Sequence, residues 1–212
     1  MRYAPAAPAA LDDSALDFPT MSRFTFLSAG ESHGPQLTVI VTGMPAGVRL
    51  DRERINRDMA RRQHGYGRGG RMKIEHDEAE IAGGVRGGET LGSPIAIVVR
   101  NDDFKNWEAA MGVWDVDPAE AEKRRVHAPR PGHVDLIGGM KYDRRDLRDI
   151  LERASARETA SRVAAGAVAK EPPRTFGIVF RSGLVSLGPA GDPHFPPTRT
   201  APAPVDAHLT PP

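Results

Sequence analysis

Residues 37–62 read LTVIVTGMPAGVRLDRERINRDMARR, and this stretch decides the fold class. Leu37 to Val41 is an apolar, β-branched run ended by Gly43, Pro45 and Gly47, after which Val48 and Leu50 resume the pattern, so the chain reads strand, turn, short strand. Asp51 can then cap a helix whose inward face carries Ile55 and Met59 and whose end carries Arg61 and Arg62, where cations suit the helix dipole. The helix is expected to break at Gly65. Strands and helices mixed without regular βαβ alternation predict an α+β fold rather than a doubly wound sheet.

Outward from this segment, Met72 to Val85 and Pro94 to Val99 read as strands joined through the Gly-rich stretch Arg86 to Gly92. Ala160, Val163, Ala164, Ala167 and Val168 recur at helical spacing, and Ser155 with Glu158 forms an S-x-x-E capping box at the start of that helix. Phe176 to Leu187 is read as a strand pair. Ten of the 19 prolines fall in residues 171–212, a bias against regular ladders, so no packed structure is expected after Gly188. The resulting division is a disordered leader over 1–20, a patterned body over 21–187 opening at Met21, and a Pro-rich disordered tail over 188–212.

Composition narrows the chemistry. With 39% hydrophobic and 27% charged residues in 212, the chain is an ordinary globular one with enough length for a core. Lys plus Arg (29) balance Asp plus Glu (28), so a net charge of +1 gives no overall attraction to nucleic acid or to an anionic membrane, and any anion site must be local. Cysteine is absent, which removes disulfides, thiolate catalysis and cysteine-ligated metals and suits a reducing, cytoplasmic setting. No apolar run approaches the roughly 20 residues of a membrane-spanning helix.

Four local clusters carry candidate chemistry. Gly30-Glu31-Ser32-His33-Gly34 brackets a neutral-pH proton carrier between two glycines just before a strand. Arg61 to Arg71 puts Arg61, Arg62, Arg68, Arg71 and His64 on a glycine-rich loop, and so many guanidinium groups together suit phosphate or carboxylate, or alternatively RGG-like contact with RNA. Arg130-Pro131-Gly132-His133-Val134-Asp135 is a tight turn presenting His133 beside Arg130 and Asp135, a candidate proton donor to a leaving phosphate. Arg153 to Thr159 places an arginine at a helix start, a natural phosphate position.

In order and wording these clusters resemble the chorismate synthase family: Gly30 to Gly34 stands where that family has G-E-S-H-G, Arg62 to Arg71 matches its arginine-rich loop, Arg130 to Asp135 resembles R-P-G-H-A-D, and Arg153 to Ala160 resembles R-A-S-A-R-E-T-A. The agreement runs from about Arg23 to Lys170. It implies part of a β-α-β sandwich, with helices between antiparallel sheets. It further implies an anti 1,4-elimination of phosphate from 5-enolpyruvylshikimate 3-phosphate to give chorismate, with reduced FMN required and NADPH a source of its electrons. By similarity, His33 would protonate or hydrogen-bond the reduced flavin and His133 would assist departure of phosphate. Arg62, Arg68, Arg71, Arg130 and Arg153 would hold substrate anions, Arg62 and Arg68 match NADP positions, and Arg153, Ala154 and Ser155 match a flavin-binding triplet. A homotetramer is implied for the complete family chain.

Two departures from the family pattern are visible. Val134 stands in place of the common Ala, beside His133. The family chain is also much longer, and the resemblance assigns a catalytic aspartate, an arginine and much of the flavin pocket to its later part. The expectation is therefore an incomplete sandwich that does not turn over alone, with Val39, Ile97, Val99, Val163 and Val168 losing the surfaces that would cover them. An Arg/Gly-loop RNA-binding module is the alternative function.

Overall fold

The computed structural model describes residues 24–64 and 76–182, with short strands at 186–187 and 190–191. The leader 1–20, most of the tail and the loop with Arg68 and Arg71 lie outside the described residues. Strands β1 (Thr25–Ala29), β2 (Gln36–Thr42), β4 (Glu80–Gly83) and β7 (Ile95–Arg100) form an antiparallel sheet in the order β1-β2-β7-β4. A second antiparallel sheet is made of β3 (Ala46–Arg49), β6 (Glu89–Leu91) and β5 (Val85–Arg86), in that order. The α+β expectation holds.

Period-2 alternation builds the core. Leu37 pairs with Val99, Val39 with Ile97 and Val41 with Ile95, and all six side chains are buried on one face of the sheet. That face is covered by helix α1 (Arg52–Gln63), through Ile55 and Met59, and by helix α6 (Thr159–Ala169), through Ala160, Ala164, Ala167 and Val168. Asp51 caps α1 as expected, its Oδ1 accepting from the Arg54 N–H at 3.0 Å. Small residues let α6 pack closely on α1. Polar ties then fix the antiparallel register, with Arg62 Nε donating to Thr159 Oγ1 at one end and Arg54 Nη2 to the buried Glu171 at the other.

One expectation is corrected by this packing. Val39, Ile97, Val99 and Val168 have no exposed surface, and Val163 packs half-buried against the same cluster, because α1 and α6 of this same chain provide the cover. Exposed apolar side chains fall elsewhere: on helix α4 (Asp135–Tyr142), at Leu136, Ile137, Met140 and Tyr142, and along Phe176 to Phe180. Ile97→Val is accordingly expected to lower stability by about 0.5–1.5 kcal/mol, the cost of removing a methylene from a closed core, in urea denaturation. A negligible change would mean that this face is open.

Other local expectations shift for physical reasons. Within Met72 to Val85 the described strand residues are only β4 and β5, because Gly84 takes φ +81 and turns the chain from one sheet to the other; a Cβ there would sit 2.4 Å from the Pro94 carbonyl. Of the stretch Phe176 to Leu187, the described residues up to 182 form no strand. Glu171–Thr175 is a short helix, α7, whose prolines occupy its first turn where an N–H has no helical partner, and β8 (Ser186–Leu187) pairs instead with β9 (Ala190–Gly191). Short helices α2 (Glu108–Met111), α3 (Pro118–Arg124) and α5 (Arg148–Arg153), with α4, fill the stretch between β7 and α6. Among the described residues no helix is long and apolar enough to cross a membrane.

Candidate active site

The glycine-bracketed turn is shaped by its backbone. Gly30, at the end of β1, has φ +107, and a Cβ there would lie 2.4 Å from the Gln36 carbonyl, so only glycine lets the chain fold back closely onto the start of β2. Asn101, buried after β7, clamps the same turn by donating from Nδ2 to the carbonyls of Ser32 (3.1 Å) and Gly34 (2.7 Å). The Ser32 N–H donates to the Glu152 carbonyl at 3.0 Å, tying the turn to α5.

His33 is thereby fixed on several sides. Its Nδ1 lies 2.8 and 2.9 Å from the two carboxylate oxygens of Glu152, and its backbone N–H donates to Glu152 Oε2 at 2.7 Å. Its ring stacks on Trp107, with centroids 3.7 Å apart. The Arg124 guanidinium covers Trp107 at 3.8 Å. Glu152 is buried and also accepts from Arg148 Nη1 at 3.0 Å. Burial pushes its proton affinity up, but the His33 hydrogen bond, the charge of His33 and the Arg148 hydrogen bond outweigh this, so its pKa lies below the ordinary value.

The second histidine has a parallel arrangement built locally. Asp135 is fully buried at the first turn of α4 and accepts from the Arg130 N–H at 3.0 Å, from Arg130 Nε at 2.9 Å and from Arg130 Nη2 at 3.1 Å. His133 Nδ1 lies 2.6 Å from Asp135 Oδ1. The Arg130 hydrogen bond holds the Asp135 carboxyl far below the usual range, burial opposing, with the Arg130 N–H and His133 adding to the depression. Arg130 Nη2 lies 2.9 Å from His133 Nδ1 and 2.8 Å from its Nε2, so the guanidinium sits against both ring nitrogens. Arg130 holds its proton more tightly through its Asp135 hydrogen bond, against desolvation, and the charges of Asp135 and Glu152 contribute as well, which makes the two histidine clusters electrostatic neighbours.

The remaining candidates fall into two groups. Arg153, exposed at the end of α5, donates from Nη2 to the Ser28 carbonyl (2.9 Å) and hydroxyl (2.8 Å). With Ala154 it borders a cleft of about 480 Å³ walled by Val134, Gly138, Tyr142 and Ile150. Ser155 caps a 3-10 turn, Ala156–Glu158, by accepting from the Arg157 N–H at 3.3 Å. The capping box is therefore only half made: Glu158 does not return to Ser155 but accepts from Ser28 Oγ and Arg162 Nε, partners that a local motif cannot reveal. Arg62 is nearly buried, pairing through Nη1 with Asp77 Oδ2 at 2.8 Å while Arg157 Nη1 takes Asp77 Oδ1 at 2.9 Å. Arg68 and Arg71 lie outside the described residues.

Glu152, Trp107, Arg148, Asn101 and Asp77 were not singled out from sequence. Only Asp135, inside its histidine motif, carried a local signal.

The described structure thus holds two histidines against buried carboxylates among arginines, His33 on the turn between β1 and β2 and His133 just before α4. The sequence pattern of the chorismate synthase family matches residues 24–208. Over 163 residues the chain is 58% identical to a chorismate synthase of Geobacillus kaustophilus, covering 77% of this chain and 42% of that protein. It is 60% identical over 163 residues to one of Enterococcus faecalis, with the same shares. A crystal structure of chorismate synthase superposes with TM-score 0.53 at 45% identity, over 74% of this chain and 36% of the other. The chain belongs to the chorismate synthase family, and it spans 42% of the length of these curated relatives.

Proposed function

We propose that this chain supplies the histidine-bearing part of a site for the anti 1,4-elimination of phosphate from 5-enolpyruvylshikimate 3-phosphate, giving chorismate in aromatic amino-acid biosynthesis. The carrying observation is the pair of neighbouring clusters His33–Glu152–Arg148 and His133–Asp135–Arg130, each a histidine held at Nδ1 by a buried carboxylate that an arginine neutralises. In the reaction a C–H bond and a C–O bond break, the phosphate leaves with the C–O bonding pair, and one proton is lost. His133 and Arg130 are suited to receive charge on the departing phosphate, the arginine by its fork and the histidine by hydrogen bonding. Arg153, exposed beside the cleft, is suited to a substrate or cofactor anion; Arg62, Arg68 and Arg71 belong to the same reading.

Reduced FMN fits the residues present: an apolar cleft large enough for a flat ring lies beside Ala154, with the Arg153 guanidinium at its edge for an anionic tail. When bound it supplies an electron-rich ring to the reacting carbons, without net redox change. His33 would then hold or give a proton at Nε2, and Ser155 and Ala154 would border the cofactor. NADPH as electron source, a homotetramer and a cytoplasmic location complete the proposal.

Calorimetric titration of the full chain with 5-enolpyruvylshikimate 3-phosphate, anaerobically with reduced FMN, tests this. Binding that inorganic phosphate competes away and that Arg153→Ala weakens by about tenfold, the worth of one exposed charge-assisted contact, is expected. Absence of binding, together with salt-sensitive affinity for unstructured RNA, would transfer the function to nucleic-acid contact.

A further inference from the structure

We propose that Glu152 is a positioning residue for His33, fixing the imidazole with its proton on Nδ1 so that Nε2 is the nitrogen left to exchange a proton with a ligand. The use of that proton rests on the function proposed above, whereas the tautomer does not.

The geometry allows one assignment. An ionised carboxylate only accepts hydrogen bonds, and both oxygens of Glu152 lie within 2.9 Å of His33 Nδ1, so Nδ1 must carry the hydrogen. Nε2 of His33 has no hydrogen-bond partner among the described residues, in contrast to His133, whose Nε2 faces Arg130. Ring rotation cannot exchange the two nitrogens cheaply, because Trp107 stacks on the imidazole and is itself held from its indole N–H to Asp103 Oδ2 at 3.1 Å. The carboxylate cannot swing away either: it accepts the His33 backbone N–H and Arg148 Nη1. The charged groups around the ring are thus Glu152 on its own side, Arg148 behind the carboxylate and Arg124 across Trp107. A neutral glutamine has one acceptor oxygen, so it can keep either the Arg148 contact made at Oε1 or the backbone N–H contact made at Oε2, with its NH₂ in the other place. The carboxylate also forbids the Nε2–H tautomer, which an amide does not, since an amide can turn its NH₂ toward Nδ1.

Long-range ¹H–¹⁵N correlation spectra of the full chain, without substrate or flavin, read the tautomer directly, the His33 signals being identified by their loss in His33→Gln. The wild type is expected to show neutral His33 almost wholly as Nδ1–H. Glu152→Gln, which keeps volume and one acceptor oxygen, should convert this to a mixture, and Glu152→Ala should shift it to mostly Nε2–H. Either a wild-type Nε2–H signal or an unchanged Nδ1–H share in Glu152→Gln overturns the proposal, and neither reading needs the alanine variant to fold. Failed substrate binding with the tautomer intact would sink the functional reading alone.

Discussion

Asp77→Ala is expected to destabilise the chain by about 3–5 kcal/mol, the usual cost of removing one partner from a buried ion pair. The site makes the upper part of that range the better expectation, because the single carboxylate serves two guanidinium groups whose side chains are only 9% (Arg62) and 4% (Arg157) exposed. Without Asp77 neither charge can reach bulk water without opening the junction between α1 and the 3-10 turn before α6. Their hydrogen bonds to neutral groups, Arg62 to Thr159 and to the Ala156 carbonyl and Arg157 to the Arg100 carbonyl, satisfy donors but bring no charge of their own. Against a total stability of about 5–15 kcal/mol for a domain, the loss should appear as a large fall in the urea midpoint. A loss under about 1 kcal/mol would show that water already screens the trio. Replacing Arg62, Asp77 and Arg157 together by apolar residues should recover much of the stability, since the desolvation cost disappears with the charges.

What the sequence made legible follows the range over which each signal acts. Helix α1, with its Asp51 cap and its Ile55 and Met59 face, lies within one stretch whose periodicity and capping are local, and so do the alternating β2 and β7. The Arg130–His133–Asp135 cluster closes within five residues and was visible as a motif. His33 was visible but its carboxylate was not: Glu152 lies 119 residues away, on a six-residue helix with too little periodicity to announce a face. Asn101 reaches back 69 residues to clamp the His33 turn, and Glu158 abandons its capping box for Ser28, 130 residues away. Each of these long contacts is a polar pairing between elements, which no spacing rule encodes; only the packed sheet and helices bring the partners together.

Asp135→Ala should be the second most damaging substitution, at about 2–3 kcal/mol, as expected for a buried acceptor of charge-assisted hydrogen bonds whose partners can rehydrate. The contrast with Asp77 lies in those partners. Asp135 is completely buried, but Arg130 is 44% and His133 26% exposed, so both can turn to solvent once the carboxylate is gone. What cannot rehydrate easily is the turn itself, because the Arg130 backbone N–H also depends on Asp135 and sets the entry to α4. The same residue gives the stability a pH signature. Its folded pKa lies well below its unfolded value near 3.8, so its contribution is complete above that value, declines as pH falls below it, and vanishes once pH passes the folded value. Glu152, also depressed, adds to the same acid limb from an ordinary value of 4.5. Urea midpoints measured from pH 6 down to about pH 3 should therefore fall for the wild type and fall less steeply for Asp135→Asn, which cannot titrate. Parallel profiles for the two proteins would mean that Asp135 carries the same charge affinity folded and unfolded, and that its contacts with Arg130 and His133 do not survive in solution.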